Sequence, residues 1–86
     1  MIYVIESIRQ KDGTPHEREA RRICRRVEIV NCRVGESMIC VYIDNGGAVL
    51  HTSMVIDVLT GEGTLVVWTQ NTEYTFVKEV IASAAE

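Results

Sequence analysis

Apolar and β-branched residues fall in short runs along this chain, and turn residues separate the runs. Ile2 to Ile8 is apolar at nearly every position except Glu6 and Ser7, which predicts a first strand ended by Lys11-Asp12-Gly13. Val27 to Arg33 alternates like a strand and stops at Val34-Gly35-Glu36. Met38 to Ile43 is apolar on both faces apart from the Tyr42 hydroxyl, and Asp44-Asn45-Gly46-Gly47 after it tolerates positive φ. Val49 to Leu59 is long for one strand. Val55 and Val58 cannot both point inward on a strict period of two, so a bulge or bend is expected near Ile56-Asp57. Leu65 to Thr69 follows the break at Gly61-Glu62-Gly63, and Tyr74 to Phe76 resumes alternation after Asn71-Thr72.

The segment between the first two strands has a different period. Thr14 and Glu17 have capping-box spacing, and Pro15 falls where a first helical residue would stand. In a helix, Ala20, Ile23, Cys24 and Val27 would share one face, with Arg18, Arg21, Arg22 and Arg25 opposite and Arg26 beside them. Tight turns elsewhere and one long excursion here predict a mainly β fold. The expected architecture is a small SH3-like antiparallel barrel of five to six strands, with one short helix or ordered loop after the first strand. An OB-type barrel fits less well, because only two residues join the last two strands. Residues 1–79 form the expected single domain, and 80–86 a helix-compatible tail.

Composition sharpens this reading. Eighty-six residues with 47% hydrophobic content and a mean hydropathy of +0.06 leave more apolar surface than so small a core absorbs, and a homo-oligomer would cover it. The net charge of −3 is unevenly placed. Between Arg9 and Arg33, eight basic residues face four acids (Asp12, Glu17, Glu19, Glu28); from Val34 onward, Lys78 alone faces seven. Overall acidity argues against general nucleic-acid binding. No apolar run is long enough for a membrane helix, so no membrane partner is expected. The opening MIYVIESIRQ has no basic leader, and the three cysteines form no C-x-x-C pair, so a cytoplasmic setting is expected.

Candidate chemistry is sparse. Arg18, Arg21, Arg22, Arg25 and Arg26 could grip phosphate or carboxylate through their planar forks, or could be matched internally by Glu17, Glu19, Glu28 and the acidic body. Ser53 and Asn71 belong to a hydroxyl-rich set with Thr52, Thr69, Thr72 and Tyr74, which could line a ligand site or simply build turns and strands. If Val67 and Thr69 face inward, Trp68 points outward near Val66 and Val77 as an interface; the opposite register buries it as a core anchor. His16, His51 and the cysteines lack metal-ligand spacing. With no phosphate loop, nucleophile elbow or paired-carboxylate motif, neither metal nor cofactor nor enzymatic activity is expected.

The runs V-G-E-S-M-x-x-x-Y (Val34 to Tyr42), L-x-T-S-x-V (Leu50 to Val55) and V-x-T-x-N-T-x-Y-x-F (Val67 to Phe76) resemble small proteins carried by phages, prophages and mobile elements of Firmicutes. That resemblance implies an SH3-like barrel and a setting in which small proteins antagonise host defence in the host cell cytoplasm. Two functions follow as expectations. One is a non-catalytic anti-defence protein that sequesters an anionic small molecule, a nucleotide-derived immune messenger, through the arginines, Ser53 and Asn71. The other is a protein-binding inhibitor or adaptor that docks through Trp68 on a host defence protein, such as a CRISPR effector.

Overall fold

The computed structural model describes residues 2–17, 19–44 and 46–79, with Arg21 described in its backbone alone. The expected tail at 80–86 lies outside the described residues.

Among the described residues, six strands follow the apolar runs: β1 (Ile2–Gln10), β2 (Arg26–Asn31), β3 (Ser37–Tyr42), β4 (Val49–Gly61), β5 (Thr64–Thr69) and β6 (Thr72–Lys78). Each pairs antiparallel with the next, and β6 returns to pair with β1, so the sheet closes into a barrel. Every strand thus has a neighbour on each side, although Val49 to Met54 of β4 pairs only with β3 and Asp57 to Gly61 only with β5. The curvature comes with four irregularities in register, between Ile5 and Ser7, Ile29 and Asn31, Ser37 and Ile39, and Val55 and Asp57. Bulges of this kind bend a strand and increase its twist, which a six-strand sheet needs in order to meet itself.

The last of them is the bulge expected near Ile56-Asp57. Val55 is fully buried, Ile56 and Asp57 are both exposed, and Val58 returns to pack against the core. Inside the barrel, Ile5, Phe76 and Leu65 lie in one cross-strand row, with Ile8, Val27, Met38, Cys40, Tyr42, Leu50, Val55 and Val67 filling the rest. Tyr74 stacks on Phe76 at 6.2 Å between ring centroids, and Tyr3 meets the same ring edge-on at 6.3 Å.

The excursion departs from its expected form. Thr14 makes no capping box: its hydroxyl and its N–H both donate to Asp12 Oδ1, at 2.6 and 3.0 Å. Pro15 bridges to Arg9 in extended conformation, while Gln10 N–H donates to Thr14 and His16 N–H to Ile8. The segment thus folds back on β1 before it can coil. Among the described residues, helix is confined to one turn, α1 (Glu19–Arg22). The expected apolar face does not form either. Ile23 and Cys24 are exposed, Cys24 has a φ of +68°, and Val27 is buried as part of β2.

Candidate functional site

The arginine-rich excursion and the outer face around Trp68 are the two regions that sequence chemistry singles out. At the first, Cys24 N–H donates to Ile5 O and Ile5 N–H to Arg25 O, which lays the residues before β2 along β1. The β3–β4 turn is then drawn onto this junction by Asp44. Its carboxylate accepts from Arg26 N–H at 3.2 Å and Arg25 Nε at 3.1 Å. The Arg26 N–H, followed by Arg25, holds the Asp44 carboxyl below its ordinary value. Arg26 makes a two-pronged bond to Glu79, Nε at 2.5 Å and Nη2 at 3.1 Å. That bond lowers the Glu79 carboxyl and raises the guanidinium.

Tyr42 draws in Arg22 beside Arg25. Arg22 Nη1 donates to its hydroxyl at 3.2 Å, and the guanidinium of Arg25 lies 4.8 Å from its ring centroid. Burial raises Tyr74, and Arg22 opposes that shift. Glu19, in α1, accepts from Ile8 N–H and lies 3.4 Å from Arg9 Nε. The guanidiniums of Arg25 and Arg26 are therefore already matched by carboxylates of the chain itself. Arg18 and the side chain of Arg21 lie outside the described residues.

Ser53 and Asn71 do not join these arginines. Asn71 is in the β5–β6 turn, beside Thr72, which pairs with Gln10 at one end of β1. Arg26 pairs with Val4 toward the other end, and six residues of strand separate the two levels, about 20 Å. Ser53 is half-buried on β4, where its carbonyl accepts from the Thr52 hydroxyl. Two other hydroxyls of this set, those of Thr52 and Thr69, serve the backbone. Thr52 Oγ1 accepts from Met38 N–H at 3.0 Å, and Thr69 Oγ1 accepts from Thr72 N–H and donates to Thr72 O, both at 3.1 Å.

The outer face is built differently. Leu65, Val67 and Thr69 of β5 point inward, so Val66 and Trp68 point out and are half-buried. Asp57 of β4 and Glu73 of β6 lie directly across from Trp68 on either side. Glu73 Oε1 accepts the indole N–H at 3.2 Å. In the next row Leu59, which is 59% exposed, faces Val66, and Val77 is two residues beyond Thr75, the β6 partner of Val66. Trp68, Val66 and Leu59 make an outward apolar strip that Thr64 and Val77 extend. Leu59 and the two carboxylates were not singled out from sequence. The signal was there in the bulge, which shifts the facing of every β4 residue after it.

Burial pushes the Cys40 thiol up to about 12 and raises Cys32, so neither is suited to nucleophilic work. Among the described residues, no group of three or more His, Cys, Asp or Glu side chains is placed to hold a metal ion. Comparison with protein-family models, curated proteins and solved structures finds no match to this chain.

Proposed function

We propose that this chain is a small non-catalytic binding module, a barrel of the SH3-like kind, that docks on a protein through its outer face around Trp68. The observation that carries this reading is the apolar strip Trp68–Val66–Leu59 on the outer surface, with the only tryptophan of the chain fixed in place by Glu73. Aromatic side chains on a rigid sheet are the usual anchors of protein interfaces. Further outward apolar residues, Val30, Val34 and Val49, are each about 60% exposed, and they give a homo-oligomer a surface to form on as well. The resemblance to phage-carried barrels points the docking reading toward a host defence protein.

Sequestration of an anionic small ligand, such as a nucleotide-derived messenger, is the second reading. Its support is the convergence of Arg22 and Arg25 on Tyr42. A ligand there would have to compete with Asp44 for Arg25, which makes this the weaker of the two.

One experiment separates them. Peptides selected from a random library on the immobilised full chain are measured against Trp68→Ala and Arg25→Ala variants. The docking reading expects Trp68→Ala to weaken binding tenfold or more, on the order of an interface anchor's contribution, with Arg25→Ala near wild type. The reverse ranking would reject docking through Trp68 and favour the arginine site.

A further inference from the structure

We propose that Trp68, Asp57 and Glu73 form a seat for an arginine side chain presented by an apolar stretch of a partner protein. This rests on the docking reading above and specifies what the partner must carry.

Register sets the geometry. Side chains directly opposite on antiparallel strands have Cβ atoms about 4.5–5.5 Å apart, so a carboxylate flanks the indole on each side. Asp57 reaches this position because the Ile56 bulge turns two successive residues outward. Each carboxylate is oriented by a single hydrogen bond, Asp57 Oδ1 from Val58 N–H at 2.9 Å and Glu73 Oε1 from the indole N–H. Among the described residues the second oxygen of each takes no hydrogen bond or ion pair. Arg9 lies opposite Glu73 on β1, but its guanidinium is held beside Glu19.

An indole face between two carboxylates attracts a cation by its quadrupole and by full charge. A guanidinium suits it better than an ammonium, because it stacks flat on the ring and forks to carboxylate oxygens. The acidic excess of the chain from Val34 onward adds an attractive field. Leu59 and Val66 in the adjoining row offer contact to apolar neighbours of the arginine in the partner.

The chain has one tryptophan, so indole emission reports this site alone. The full chain is titrated with acetyl-Leu-Arg-Leu-amide and with the same peptide carrying citrulline, which keeps the planar shape and loses the charge. The expected result is a saturable emission change with the arginine peptide and binding about fivefold or more weaker with citrulline, the order expected for a partly exposed cation–π contact reinforced by carboxylates. An Asp57→Asn/Glu73→Gln double variant should lose that preference while unfolding at the same midpoint, since Gln still accepts the indole N–H. Equal binding of the two peptides would overturn the arginine seat and leave docking through Trp68 standing. Absence of any emission response would overturn the seat as well, with docking then judged separately by the Trp68→Ala comparison.

Discussion

Thr52 shows how a single hydroxyl is used by the fold. The β3–β4 ladder slips between Ser37 and Ile39, which deprives Met38 of a backbone partner, and Thr52 Oγ1 takes its N–H inside the barrel. Thr52→Val keeps the shape and removes the acceptor, leaving a buried donor unsatisfied. The expected cost is about 1–3 kcal/mol in urea unfolding, with Thr52→Ser losing much less. A valine variant as stable as wild type would show that Met38 N–H finds another partner. Sequence marked Thr52 only as one of a hydroxyl-rich set. Its role depends on a register slip between two strands, which no local pattern encodes. Trp68 was open for a related reason: Val66 and Val67 make both faces of β5 apolar, so alternation could not choose between registers.

The six strands were legible because each is a β-branched or apolar run bounded by turn residues, and the β4 bulge because Val55 and Val58 demanded it. The excursion was not. Its capping signals are local, and they lose to Asp12, which captures Thr14, and to the end of β1, which engages Thr14 and His16. The arginines then act as ties between elements. Arg25 and Arg26 secure the β3–β4 turn through Asp44, and Arg26 secures the end of the barrel through Glu79. Both carboxyls lie below their ordinary values of 3.8 and 4.5 in the folded chain. Their contribution to stability is therefore complete above about pH 4.5 and is lost as pH falls through the lowered folded values. Denaturant midpoints measured from pH 6 to pH 2.5 should fall on the acid side. An Asp44→Asn/Glu79→Gln variant should start lower at pH 6 and show a shallower acid decline. An unchanged acid limb would mean that these exposed pairs add nothing measurable.

Viewed entire, the molecule is a closed barrel that engages Arg9, Arg22, Arg25 and Arg26 in contacts within the chain and leaves an acidic, partly apolar outer face around one tryptophan. No motif in the sequence announces such a face, because its residues come from β4, β5 and β6 and meet only through register. The most direct measurement is an amide chemical-shift map of the full chain titrated with a library-selected peptide. The expected footprint covers Asp57, Leu59, Val66, Glu73 and Val77 and the indole N–H of Trp68. A footprint centred instead on Arg22, Arg25, Tyr42 and Asp44, with the indole signal unmoved, would contradict docking through the outer face.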